Sequence, residues 1–183
     1  MNYLALYGLI VVFGVPIFIA AYEKTRPYIG PYLGGFAAVL IAYVLEGHLY
    51  NLDPSFEDLA IYYAPVVEEF AKAMIIIGFT NILVDENRKG VFWVWLAIGL
   101  GFGLGENGLY SIYLLDDANA YTTIMVRTVF PVALHIVTTI LTGWLIEWRL
   151  SGLKISYRRA MLYAFILAAP SMVIHYIYNF NAL

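Results

Sequence analysis

LAIYYAPVVEEFAKAMIIIGFTNILV, residues 59–84, is the stretch that decides the fold. It exceeds the roughly 20 residues that a helix needs to cross a bilayer. Yet it carries Glu68, Glu69 and Lys72 within five residues. One ionisable side chain at the bilayer centre costs roughly 2.5–3.5 kcal/mol. A segment with three either uses them or packs them against partners. The rest of the chain has the composition of an integral membrane protein: of 183 residues, 62% are hydrophobic and only 13% charged, about half the charged share of a soluble domain. The apolar segments lack period-2 alternation, which favours helices over a barrel. With no cysteine, disulfides, thiolate metal ligands and a cysteine nucleophile are all excluded.

Apolar stretches run over 3–22, 28–45, 59–84, 91–115, 123–148 and 160–180. They predict an all-α integral membrane protein, a bundle of about six transmembrane helices forming a single polytopic domain over 1–183. The first stretch lacks a basic flank and is long for a signal peptide, so it reads as a retained helix. Loop charges alternate. Lys24 and Arg26, then Arg88 and Lys89, then Arg149, Lys154, Arg158 and Arg159 mark loops one, three and five. Loop two carries Glu46, Asp53, Glu57 and Asp58, and loop four Asp116 and Asp117. The positive-inside rule places the odd loops in the cytoplasm and both termini outside, with the cell membrane as the expected location. Arg127, at the start of the fifth stretch, is the exception to the alternation.

That topology gives each polar group a depth. Glu68 lies about 14 Å from the outer end of its span at 1.5 Å per residue, and Glu106 a similar distance. His135 comes out roughly 18 Å deep and His175 roughly 8–10 Å. Four spans thus bring ionisable groups to the outer half or the midplane, which predicts one shared polar cavity there. Glu68 and Lys72 are i,i+4 and share a helix face, with Glu69 turned about 100° away. A buried Glu68–Lys72 ion pair is the plain structural account, but it leaves Glu69 and Glu106 without counter-charges. Either some carboxyls are protonated or a bound cation compensates.

Gly103-Leu-Gly-Glu-Asn-Gly108 matches a dinucleotide-loop pattern by accident, since no strand precedes it. Its glycines, with Gly99 and Gly101, fit close helix approach better. His135 and Thr139, like His175 and Asn179, sit one helical turn apart. A lone membrane histidine more often makes a helix–helix hydrogen bond than ligates a metal. Two at similar depth beside three carboxylates reverse that weighting. His48, beside Glu46, reads as interfacial. Pro65, Pro131 and Pro170 each precede a polar position by three to five residues, and broken backbone in lipid persists where it lines a cavity or is satisfied by neighbours.

Glu68-Glu69-x-x-Lys72, Phe102-x-x-x-Glu106-Asn107, His135-x-x-x-Thr139 and His175-x-x-x-Asn179 resemble, in order, the four motifs of the PrsW family of intramembrane proteases. More distantly they resemble the type II CAAX prenyl endopeptidases, where a histidine stands in place of Glu106. The resemblance covers roughly residues 60–180. It implies peptide-bond hydrolysis at or within the membrane, and in the PrsW branch first-site cleavage of membrane-anchored anti-sigma factors. It also implies catalytic roles for Glu68, Glu69, Glu106, His135, His175 and Asn179, with Lys72, Asn107 and Thr139 in support. Carried over from the CAAX branch, Glu68 is the general base and His175 with Asn179 stabilise the oxyanion.

Two chemistries fit these side chains. In one, a carboxylate takes a proton from water while His and Asn donors stabilise the tetrahedral oxyanion. In the other, Glu68, Glu106, His135 and His175 supply ligands to Zn²⁺ and a further glutamate is the base. No HExxH is present, so such a metal site would be dispersed. The rival classes are a non-catalytic scaffold, as the Aph subunit of γ-secretase is thought to be, and a proton- or cation-coupled transporter. Six spans without an inverted repeat make a small frame for the latter. The expected partners are the lipid bilayer and a membrane-anchored protein substrate. Nothing points to nucleic acid, and the sequence sets no oligomeric state.

Overall fold

The computed structural model describes residues 6–8, 10–51, 55, 58–83, 90–114, 119–150, 153 and 156–182. Every regular element among them is helical. A π-helical turn, Ile10–Gly14, leads into α1 (Val15–Ala21), and a 3₁₀ turn, Arg26–Tyr28, into α2 (Ile29–Tyr50). A second π turn, Leu59–Tyr63, opens α3 (Ala64–Leu83), followed by α4 (Val91–Tyr113), α5 (Ala120–Leu150) and α6 (Tyr157–Ala182). Arg88, Lys89, Lys154, Asp53, Glu57, Asp116 and Asp117, on which much of the loop-charge argument rests, lie outside the described residues.

Among the described residues, three stretches are long and apolar enough to cross a membrane: Arg26–Tyr50, Ala120–Leu150 and Arg158–Ala182. Two other helices have the length but not the composition. Glu68, Glu69 and Lys72 lower the hydropathy of α3, and α4 is diluted by its glycines with Glu106 and Asn107. Both depart from the apolar class through their polar residues.

Burial is inverted relative to a soluble protein. Glu69, Lys72, Asn107, Thr138, Thr139, Thr142 and Ser171 are fully buried, and His135 nearly so. Ile41, Val44, Val129, Phe130, Val137, Trp144, Phe165, Ile166, Val173 and Ile177 are exposed. Water would penalise both choices, and hydrocarbon reverses both. The protein is an integral membrane protein. α5 shows the logic along one helix: its buried face is Ile124, Pro131, Val132, His135, Thr138, Thr139, Thr142, Gly143 and Ile146, at the 3–4-residue spacing of one helical side.

α4 is the central element, packed between α2 and α5, while α3 packs against α6 and α2. Two glycine faces allow this. A Cβ on Gly101 would collide with the backbone carbonyl of Tyr32, and one on Gly35 with that of Ile98, so α2 and α4 cross in backbone contact. On the opposite side, a Cβ on Gly99 would lie 2.8 Å from Ile136 Cα, and one on Gly103 2.9 Å from Val132 Cα. α5 is therefore also drawn close, and Glu106, one residue past Gly105, is delivered to the α5 face that carries His135.

Candidate active site

Lys72 is the hub. Its Nζ donates to Glu69 Oε1 at 2.7 Å, to Thr138 Oγ1 at 3.1 Å and to His135 Nδ1 at 3.1 Å, using all three ammonium hydrogens. The plain structural account, a Glu68–Lys72 pair, does not hold: the lysine pairs with Glu69 at i,i+3. Three hydrogen bonds on the Glu69 side outweigh one shared face. Thr138 Oγ1 donates on to Glu69 Oε1 at 3.1 Å, and His175 Nδ1 lies 3.0 Å from the same oxygen.

This network assigns both imidazoles. An ammonium only donates, so His135 Nδ1 accepts, and its proton sits on Nε2, which donates to Glu106 Oε2 at 2.8 Å. His175 Nδ1 faces a carboxylate oxygen that can only accept, so it carries the proton and leaves a lone pair on Nε2. The rings meet edge to face, with centroids 5.2 Å apart. Phe102 backs His135 at 4.7 Å and lies 4.7 Å under the Lys72 ammonium, a cation–π contact.

The charge count differs from the sequence reading in one decisive residue. Glu106 Oε1 accepts from Arg127 Nη2 at 2.6 Å, so Glu106 has its counter-ion. Glu69 has Lys72. Glu68 has no lysine or arginine among the described salt bridges. Its Oε2 is buried without a hydrogen-bond partner and lies 3.9 Å from both His135 Nδ1 and His175 Nδ1. A buried, unsatisfied carboxylate oxygen between two imidazoles requires an explanation.

Three residues implicated by sequence point elsewhere. Asn107 Nδ2 donates to Thr128 Oγ1 at 3.0 Å and Tyr7 Oη at 3.3 Å, joining α4 to α5 and the N-terminal turn. Thr139 is packed at the α4–α5 crossing beside Gly99, its hydroxyl without a partner. Asn179 Nδ2 donates to the Ala60 carbonyl at 2.9 Å. Sequence alone assigns Arg127 and Thr138 no place in the site, because their contacts cross between helices and match no i,i+4 pattern.

Glu68, His135 and His175 form a metal-capable group, with one ligand atom of each within 4.8 Å of the others. Two His and one Glu is a known catalytic zinc set, and bonds of about 2.0–2.1 Å in tetrahedral geometry put ligand atoms ~3.4 Å apart. The three side chains would have to draw together around the ion. Glu106 is not in this group. It stands behind His135, bonded to the ring nitrogen opposite Glu68, in the outer position that commonly orients metal-ligating imidazoles, while Glu69 accepts from His175 Nδ1 and leaves Nε2 of that ring to ligate. The residues fit a divalent ion, with one contact to yield: Lys72 would have to leave His135 Nδ1 while keeping Glu69 and Thr138.

A family model described as PrsW family intramembrane metalloprotease matches residues 29–183. Neither the curated proteins nor the solved structures contain a match to the chain.

Proposed function

This chain belongs to the PrsW family of intramembrane metalloproteases, and we propose that it hydrolyses a peptide bond of a membrane-anchored protein, an anti-sigma factor being the substrate type the family resemblance suggests. In this reading the six helical segments all cross the membrane as one domain, α3 and α4 shielded by their neighbours, and the polar residues line a wet cavity in the outer half. The observation that carries it is Glu68 Oε2, buried and unpartnered 3.9 Å from the Nδ1 atoms of two imidazoles, one bonded on its far side to Glu106 and the other bonded through Nδ1 to Glu69.

Glu68, His135 and His175 would hold a divalent metal. Bound there, an ion such as Zn²⁺ would supply Lewis acidity to the scissile carbonyl and make water a better nucleophile at neutral pH. The chain's own residues do the rest. Glu106 keeps the His135 proton on Nε2, and Glu69 keeps the His175 proton on Nδ1. Glu69 Oε2 is buried and free of hydrogen bonds, so it is the carboxylate oxygen able to take a proton from water. Lys72 and Thr138 hold the other oxygen and fix its direction. Peptide hydrolysis then needs an amine-directed proton, which the same carboxyl can return.

A metal-free route is favoured by one observation, the 3.1 Å contact of Lys72 with His135 Nδ1, which occupies the nitrogen an ion would use. Glu68 is then the base. Glutamine variants separate the two. If a metal is held, Glu68→Gln loses both bound ion and cleavage of a membrane-anchored reporter, whereas Glu69→Gln keeps the ion and loses only cleavage. If wild-type protein turns over without stoichiometric metal, the metal-free route stands. Full turnover in both variants would remove the proposed site.

A further inference from the structure

We propose that Arg127 is a positioning residue of this site: through Glu106 it fixes the orientation and proton placement of His135. The inference rests on the peptidase reading for its kinetic consequence, but its structural core can be tested without any substrate.

Arg127 and His135 are both on α5, eight residues apart, about 12 Å along the axis. Glu106, from α4, bridges that gap. One oxygen accepts from Arg127 Nη2 at 2.6 Å, the other from His135 Nε2 at 2.8 Å. The guanidinium is itself held: its carbon lies 3.6 Å over the ring of Tyr110, one turn beyond Glu106 on the same helix. Tyr110 and Glu106 thus form an i,i+4 clamp on one planar cation.

The direction of influence follows from which partner has alternatives. Glu106 carries side-chain exposure of 17% and Arg127 of 21%, against 2% for His135. Without Arg127, Glu106 Oε1 loses its donor and the carboxylate becomes free to rotate. Nε2 of His135 then loses its fixed acceptor. That acceptor and the Lys72 ammonium together keep Nδ1 the lone-pair nitrogen, 3.9 Å from Glu68 Oε2; with the acceptor gone, Lys72 alone holds a ring free to tilt. Lysine would keep the charge at position 127 but lose the planar cation stacked on Tyr110.

The chain has three histidines, so imidazole ¹⁵N spectra of the full-length protein in detergent are assignable, and His175 serves as an internal control. Arg127→Gln should shift the His135 resonances away from the Nε2–H pattern while His175 stays unchanged. In proteoliposomes the same variant should lower kcat roughly 10–100-fold with KM within about twofold, and weaken Zn²⁺ binding, measured by competition with a chromophoric chelator, by a similar factor. Arg127→Lys should recover part of each, and Tyr110→Leu should show a smaller shift of the same kind. If Arg127→Gln does not fold, Arg127→Lys and Tyr110→Leu carry the test. Folded variants with His135 resonances identical to wild type overturn the proposal. A wild type that neither cleaves a reporter nor binds Zn²⁺ overturns the peptidase reading, and the His135 spectra still decide the role of Arg127.

Discussion

At the residue scale the site is a problem of compensated charge. Glu69 and Lys72 are both fully buried and paired at 2.7 Å. Removing one partner of such a pair costs about 3–5 kcal/mol, because the other is left buried and alone. Lys72→Met is therefore expected to lower the melting temperature in detergent sharply and to reduce the amount of protein in the membrane. Adding Glu69→Gln should restore much of the stability and none of the activity. An unstable double variant would mean that Lys72 matters through His135 and Thr138 instead. The sequence could show that Lys72 sits among carboxylates, but not which one it serves, since i,i+3 and i,i+4 are both open on a helix. The choice is made by Thr138 and His175, on other helices. The same limit hid the partner of Glu106. Arg127 stands out in the sequence only as a misplaced positive charge, and the 2.6 Å contact that explains it exists only once α4 and α5 are packed.

At the element scale the polar residues are aimed by irregular backbone. The π turn Leu59–Tyr63 stops where one more i→i−5 bond would need the N–H of Pro65, which proline lacks. The carbonyl left over is that of Ala60, and Asn179 of α6 donates to it at 2.9 Å. The final motif residue thus ties the end of α6 to the π turn that opens α3, eight residues before Glu68. Asn179→Ala should cost about 0.6 kcal/mol, the typical worth of an interhelical hydrogen bond in a membrane. Pro65→Ala, which restores a backbone donor, should suppress that loss in the double variant, so the two changes couple in a thermal-stability cycle. Strict additivity would show that Asn179 serves something other than this carbonyl. Proline next to the polar positions is visible in sequence. The π register is not, because it depends on which carbonyl a distant side chain can reach.

At the scale of the whole molecule, an apolar exterior around a polar core establishes the membrane setting, and the glycine faces of α4 explain how a helix carrying Glu106 is packed between α2 and α5. Both were legible beforehand, composition and glycine spacing being local properties. Orientation is a different kind of property: it depends on loop charge relative to the cell interior, and the packed helices would be the same either way up. The chain offers a direct test because it has no cysteine. Glu23 and Asn119 are both exposed, Glu23 in the turn after α1 and Asn119 at the start of α5. The charge alternation puts Glu23 in the cytoplasm and Asn119 outside. In intact cells, a membrane-impermeant maleimide should modify Asn119→Cys and should reach Glu23→Cys only after permeabilisation. The reverse pattern would turn the Glu68–His135–His175 cluster toward the cytoplasm. An extracytoplasmic anti-sigma domain could not then be the substrate, and the peptidase would have to act on segments presented from inside the cell.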